Sequence, residues 1–519
     1  MEPGAQGAAG RAAAGHATAD RTTERAAAGH ATADRATTEG TAAGRPAAAG
    51  AAPRDRADLV AALRAALPAD AVLTDPDLLH GYQRDEADLC AYGLPVAVVR
   101  PRSTAEVAAA VRTAAAHGTP VVPQGARTGL AGGANAVPGG LVLSLTRMDR
   151  ILEIDAVNRV AVVQPGVVNA ELARAVAAHG LRYPPDPGSW ETSTIGGNVA
   201  TDAGGMCCVK YGVTGAYVLG LEVVLADGEV LRTGRRTPKG VAGYDLTRLF
   251  VGSEGTLGVL TEITLALRPA AEESLTLVAV FPSTAAAGAA VAGIAAAGLT
   301  PSLLELLDRT HLRAIEDFRP MGLRTDAQAM LLAAADTGPR AADDLARVAA
   351  ACTTAGATEV YAATDATEAA ELLRARRLAH PAMERLALRT HPGGRGGLII
   401  DDVAVPRTRL AELLDGVAVI AGRHGVQIGV VGHAGDGNLH PNIVVDRADP
   451  ASVARGRRAF DEIMALGLAL GGTCTGEHGV GLLKRDWLAR ELGPVGLRVH
   501  HAIKAALDPA GLLNPGKVL

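Results

Sequence analysis

Aromatic residues make up only 3% of this 519-residue chain, so a core drawn from its 48% hydrophobic composition must rely on leucine, valine, isoleucine and alanine. Cysteine is scarce as well. Cys90, Cys207, Cys208, Cys352 and Cys474 show no CxxC spacing and no repeat, which excludes a disulfide framework and an in-chain iron-sulfur or cysteine-ligated zinc site. Reduced thiols in a cytoplasmic setting are expected. No long run of Lys or Arg is present, and 50 basic against 55 acidic residues give a formal charge of −5, so a dedicated nucleic-acid binder is excluded. Small molecules are the expected partners. The N-terminus lacks the compact apolar core of a signal peptide. The one serious membrane candidate, the uncharged run from Leu275 to Leu299, is split by Pro282-Ser283-Thr284. It reads as a strand from Leu275 to Phe281, a cap at Ser283 or Thr284 and a packed helix behind, not as a transmembrane segment.

Length permits two or three domains at roughly 150 residues each. Residues 1 to 55 stand apart. RAAAGHATADR occurs at Arg11 to Arg21 and again at Arg25 to Arg35, in a tract of Ala, Gly, Thr and Arg with almost no large apolar residue. Such a tract cannot bury enough surface to offset its ordering entropy, so a disordered low-complexity tail is expected and His16 and His30 carry no chemistry. Its arginines suit a mitochondrial-type transit peptide, but Glu2, Asp20, Glu24 and Asp34 count against one. Regular leucines in helical spacing begin near Asp58-Leu59, where the folded part is expected to start.

What the first half does have is glycine-rich loops. Pro123-Gln124-Gly125-Ala126-Arg127-Thr128-Gly129-Leu130-Ala131-Gly132-Gly133 follows an apolar run, and such a backbone can turn its amides toward a pyrophosphate. The spacing is not GxGxxG and a strand follows, which disfavours a Rossmann site despite Asp149 downstream. A second loop, Tyr183 to Ser189, runs into Thr192-Ser193-Thr194-Ile195-Gly196-Gly197-Asn198 and Thr201-Asp202-Ala203-Gly204-Gly205. Its small side chains and hydroxyls suit a flat, polar-edged ring system. Leu221 to Thr233 is a plain hairpin turning at Asp227-Gly228, with no catalysis placed on it. A third small-residue loop spans Gly252 to Val259.

The sharpest signal lies late in the chain, at Gly432-His433-Ala434-Gly435-Asp436-Gly437-Asn438-Leu439-His440 and Gly476-Glu477-His478-Gly479. Asp-Gly between extended runs predicts a two-residue type I′ hairpin turn. That register sets His433 opposite His440, with Cβ atoms about 4.5–5.5 Å apart on one face, close enough to share one divalent metal. Pro441 biases His440 toward extended geometry. Glu477 offers a third ligand and His478 a base. Two imidazoles and one carboxylate leave coordination positions open, as catalysis requires. The bland alternative is a pair of surface loops that happen to contain histidine.

The order of PQGARTGLAGG, PPDPGS, TIGGNVATDAGG, GYDLTRLFVGSEGTLGVLTEI, GHAGDGNLH and GEHGVG resembles the FAD-linked oxidases of the vanillyl-alcohol-oxidase type, over about residues 75 to 519. Within that family it is most similar to the flavoprotein subunit of glycolate oxidase and to D-lactate and D-2-hydroxyglutarate dehydrogenases. The resemblance implies an α+β protein. A PCMH-type, two-subdomain FAD-binding domain would span residues 56 to 270, with its core at 93 to 270. Residues 271 to 519 would form an α+β cap domain whose antiparallel sheet covers the flavin, with a C-terminal segment returning to the FAD. Gly125, Arg127, Thr128, Gly129 and Leu130 would form the pyrophosphate loop. Asp186, Ser189, Thr192, Gly196, Gly197, Asn198, Thr201 and Gly205 would line the flavin, with Glu254, Val259 and Asn514 as further cofactor contacts. No histidine occupies the first flavin loop, so FAD is expected to bind noncovalently.

His433, His440 and Glu477 fall on the family's metal positions, with zinc the expected ion, and His478 on its base. Arg376 matches an arginine that grips a substrate carboxylate, although Leu373 replaces the usual aromatic; a solvated helix arginine is the alternative. The implied activity is oxidation of a small 2-hydroxy acid, D-lactate or glycolate, to the 2-oxo acid by metal-assisted hydride transfer to flavin N5. Relatives acting on dicarboxylates place a lysine near Leu398 to Val403, where none occurs here, so a monocarboxylate is favoured. The electron acceptor is not identified by the residues. An iron-sulfur relay would reside on a partner subunit, and the chain could sit peripherally at the membrane. Two alternatives remain: same-fold FAD chemistry that is not a dehydrogenation, as in alkylglycerone-phosphate synthase, and a noncatalytic flavin-binding subunit.

Overall fold

A computed structural model describes residues 53–237 and 239–519. Nearly all of the tail expected to be disordered, with His16 and His30, lies outside the described residues. The first helix, Pro53–Ala66, begins before the expected start near Asp58, because proline has no amide to lose in a first helical turn. It packs on helix Thr104–Ala116, whose N-cap Ser103 accepts the Glu106 amide.

Two sheets organise the first half. One runs in the order Val72–Leu73, Ala97–Val99, Leu141–Ser144, Val121–Gln124, parallel except at its Val72 edge. Its two central strands, Ala97–Val99 and Leu141–Ser144, are buried throughout, which is why they read as continuous apolar runs without alternation. The other is antiparallel, in the order Ile151–Asp155, Val160–Val163, Val259–Ala266, Val218–Val224, Val230–Gly234. The expected hairpin at Asp227-Gly228 joins its last two strands, with Gly228 at φ +81°.

From Leu275 onward a larger antiparallel sheet takes over. Its order is Glu359–Ala362, Leu275–Phe281, Ala329–Ala335, Leu303–Asp308, Ile428–His433, Asn438–Asp446, Gly396–Ile400, and Val403–Ala404 also pairs with Asn438–Asp446. The uncharged run resolves as expected into the strand Leu275–Phe281 and helix Thr284–Ala296, capped by Ser283. Among the described residues no helix is long and apolar enough to cross a membrane. Helices Thr284–Ala296, Ala341–Thr354, Leu410–His424 and Pro450–Ala469 cover one face of this sheet around a Leu, Val and Ala core, as the aromatic poverty required. The C-terminal residues come back to the first half, where Leu513 bridges Val121 and Lys504 Nζ donates to the Thr256 carbonyl. The described residues form one compact unit.

Candidate active site

His433 ends one strand of the large sheet and His440 lies early in the next, but the hairpin differs from the expected one. His433 pairs with Asn438 and His440 with Val431, so the connection holds residues 434–437 instead of a two-residue turn. A type I′ turn needs positive φ at both central residues, and only Gly437, at +87°, has it. Tertiary contacts decide the longer loop. The Gly435 amide donates to the Leu304 carbonyl at 2.9 Å, and a Cβ on Gly437 would lie 2.1 Å from the Val405 oxygen. The register is displaced by two residues, which preserves parity, so both imidazoles still share one face with ring centroids 5.2 Å apart.

On that face the ligand atoms converge. Glu477 Oε1 lies 3.0 Å from His433 Nε2, 3.2 Å from His440 Nε2 and 3.6 Å from His478 Nε2. The His433, His440 and Glu477 donor atoms all fall within 4.8 Å of one another. Directly across the sheet from His433, Glu305 accepts its Nδ1 at 2.8 Å, which leaves Nε2 turned inward. Burial disfavours ionisation of both groups, yet Glu305 and Glu477 hold His433 well above the usual imidazole range, and His433 holds Glu477 well below that of a carboxylate. The pocket between these carboxylates is thus built for positive charge. Two inward nitrogens and an anionic oxygen fit a divalent ion with a position left open.

His478 stacks on His440, with centroids 4.6 Å apart and 17° between planes. Burial pushes its imidazole down to about 4, well below the unperturbed value expected of it, so it is neutral and able to accept a proton at neutral pH. The loop carrying it is pinned by Asp402. Asp402 Oδ2 accepts the amides of Gly476 at 3.0 Å, Glu477 at 3.1 Å and His478 at 2.9 Å, and also Lys484 Nζ at 2.9 Å. Asp402 and Lys484 have no exposed side-chain surface. Burial works against the Asp402 charge, but the Lys484 ammonium beside it keeps it ionised well below the carboxylate range.

Arg376, on helix Ala366–Arg377, is not the solvated arginine of the alternative reading. Its side chain is 12% exposed and its Nε donates to Glu305 Oε2 at 2.6 Å, so one buried carboxylate joins it to His433. A cavity of about 580 Å³ connects Arg376, His433, His440, Glu477 and His478 to the glycine-rich loops. Gly125, Arg127, Thr128, Gly129 and Leu130 form one wall, while Asp186, Ser189, Thr192, Gly196, Gly197, Asn198 and Thr201 form another, joined by Glu254, Arg376, His433, His440, Glu477 and His478. Gly205, Val259 and Asn514, all expected at the cofactor, do not line it. Gly205 packs beneath Asp186, where a Cβ would lie 2.5 Å from the backbone, and Val259 is buried in the core. Asn514 acts from behind, donating Nδ2 to the Gly133 and Glu254 carbonyls.

The cavity fits a large polar cofactor. Gln124 Oε1, Ser193 Oγ and Asn198 Nδ2 are buried without a partner among its lining residues, as groups that meet the polar edges of a bound ring would be. Arg127 holds a left-handed backbone, φ +63°, rare for a residue with a Cβ and typical of strained functional loops.

Sequence reasoning missed Glu305, Asp402 and Lys484. The two acids had a signal as carboxylates inside apolar runs, Leu303-Leu304-Glu305-Leu306-Leu307 and Leu398-Ile399-Ile400-Asp401-Asp402-Val403, whereas Lys484 had none.

Residues 95–234 match the family model described as FAD binding domain, and residues 270–518 match that of FAD linked oxidases, C-terminal domain. The chain is 45% identical over 427 residues to glycolate oxidase subunit GlcD of Bacillus subtilis, covering 82% of this chain and 89% of that one. It is 35% identical over 458 residues to D-lactate dehydrogenase of Anaerostipes hadrus, covering 86% and 94%. The structure of p-cresol methylhydroxylase with substrate bound superposes with a TM-score of 0.74 at 20% identity, over 90% of this chain and 98% of that one, and shows the shared fold.

Proposed function

Because this chain belongs to the FAD-linked oxidases, we propose that it oxidises a small 2-hydroxy acid, D-lactate or glycolate, to the 2-oxo acid. The observation that carries the reading is the convergence of His433, His440, Glu477 and His478 in the wall of the cavity that the glycine-rich loops enclose. The named relatives, a glycolate oxidase subunit and a D-lactate dehydrogenase, support the substrate class.

FAD, bound noncovalently between the loops of residues 56–270 and the cap of residues 271–519, supplies a hydride acceptor, and a divalent ion such as zinc supplies polarisation of the substrate hydroxyl. His433, His440 and Glu477 would hold that ion. Arg376 would bind the substrate carboxylate while Glu305 keeps its guanidinium turned into the cavity. His478 Nε2 would take the hydroxyl proton as the Cα–H bond breaks and its electron pair leaves with the hydrogen, so that the C–O bond becomes a carbonyl. These side chains are largely buried, which strengthens the interactions between them.

Electrons must leave again through a second acceptor. The chain has no cysteine cluster to carry them, so we assign the relay to an iron-sulfur partner subunit, consistent with the relative named as a subunit. All five cysteines are free, which suits a reducing cytoplasmic setting, with association at the membrane surface through that partner. Anaerobic addition of D-lactate or glycolate to the FAD-loaded, zinc-loaded protein should bleach the visible flavin band within seconds. A flavin that stays oxidised with both acids rejects the assignment.

A further inference from the structure

The loop that carries Glu477 and His478 is suspended between two buried carboxylates, Asp402 and Glu254. Asp402, from the large sheet, takes the amides of Gly476, Glu477 and His478. Glu254, from the glycine-rich wall, takes the next two available amides, Val480 at 2.7 Å and Gly481 at 3.0 Å. Glu254 itself is fixed. Its backbone is left-handed, φ +50°, and its carbonyl accepts Asn514 Nδ2 at 2.7 Å. A Cβ on Gly133 would lie 2.8 Å from Glu254 Oε2, so this corner has no room to slide.

Two further contacts tie the same loop to the cavity wall. The Ala131 carbonyl accepts the Leu482 amide at 2.8 Å and the Leu483 amide at 3.1 Å. On the other side, Gly204 is so close that a Cβ would meet Glu477 Oε2 at 2.3 Å. Ala131, Gly133, Gly204 and Glu254 all line the cavity that the flavin would fill.

We infer that Glu254 is a positioning residue that couples the two cofactors, so that FAD and a divalent metal bind cooperatively through the Gly476–Gly481 loop. The inference rests on the metal reading of the proposed function. A cofactor packed against residues 131–133 and Glu254 holds the second half of the loop, and an ion on Glu477 holds the first. Because the segment is pinned at both ends, a shift that either ligand imposes at its own end is transmitted to the other, and the coupling is reciprocal.

Glu254→Gln tests this directly. An amide has one oxygen where the carboxylate has two, so its NH2 must face either the Val480 or the Gly481 N–H, which breaks one bond and opposes two donors. The FAD dissociation constant of the full-length protein would be read by flavin fluorescence after chelator treatment, with and without added Zn²⁺. In the unaltered protein, metal removal should weaken FAD about tenfold, within the usual span of allosteric coupling. In Glu254→Gln that ratio should fall below about twofold while both ligands still bind. Glu254→Asp, which keeps both oxygens but withdraws them, should lie between, and serves if the amide variant does not fold. Equal FAD affinity with and without metal in the unaltered protein overturns the coupling, and an unchanged ratio in both variants overturns its assignment to Glu254. If the unaltered protein binds no zinc at all, the metal reading fails and takes the inference with it.

Discussion

Glu305 and His433 face each other across neighbouring strands, 2.8 Å from carboxylate oxygen to Nδ1, with neither side chain appreciably exposed. The contact fixes which imidazole nitrogen is free to ligate. Glu305→Gln should therefore keep FAD but lose roughly 10–100-fold in metal affinity, the usual cost of removing a carboxylate behind a ligating histidine. Titration with Zn²⁺ against a competing chelator measures it. An affinity equal to that of the unaltered protein would show that the pair only packs.

His440→Ala removes one of the two inward nitrogens. Bound metal and turnover should both be lost, by more than the ~10–100-fold of an outer-shell change, while the flavin spectrum persists. Metal analysis beside steady-state turnover checks this, and unchanged turnover rejects the metal role.

His478→Ala should leave both cofactors in place, since the imidazole lies beside the ligands without being one of the three. Single-turnover flavin reduction should slow by about 10²–10⁴-fold, the range for loss of a positioned general base. Rapid bleaching by substrate in this variant rules His478 out as the base.

The hairpin shows how far sequence could reach. The period of a strand is two, so placing His433 and His440 on one face needed only their parity, and that survived a register displaced by two residues. The loop length did not follow, because it depends on Leu304, in a neighbouring strand, and on Val405, just past the strand Val403–Ala404. Composition offered the glycine-rich loops as candidates for a cofactor wall, the first of them equally as a plain turn, and only the order of the motifs pointed to FAD. Glu305 was visible as a lone acid in an apolar run, but its partner is 128 residues away and no local pattern points to it. Asp402 is similar, since its Lys484 and backbone partners are 74 to 82 residues on.

Asp402 and Lys484 form a fully buried pair at 2.9 Å. Lys484→Met would leave the Asp402 carboxylate buried with its amide donors but no countercharge. Breaking such a pair from one side costs about 3–5 kcal/mol, so a clear fall in thermal midpoint is expected by calorimetry. A midpoint within error of the unaltered protein would mean that the amides alone satisfy the charge.

Asp401, next in the chain, is held in the opposite state. It is fully buried, its Oδ1 accepts the Asp402 amide at 2.9 Å and its Oδ2 has no partner. Burial pushes its carboxyl up to about 8 despite the pull of Lys484. A folded-state value raised above the unfolded one means that the folded chain carries a proton the unfolded chain lacks between about pH 4 and pH 8. The stability this contributes is fully present below that window and is lost as pH rises through it. Asn cannot ionise, keeps the Oδ1 acceptor and puts an NH2 where the protonated acid has its unpaired O–H. Asp401→Asn should therefore match the unaltered protein near pH 4 and exceed it progressively as pH rises from there to about pH 8, by at least about 2 °C in thermal midpoint near pH 9. A difference between the two proteins that stays constant from pH 5 to about pH 9 would place the Asp401 carboxyl in its ordinary ionised state.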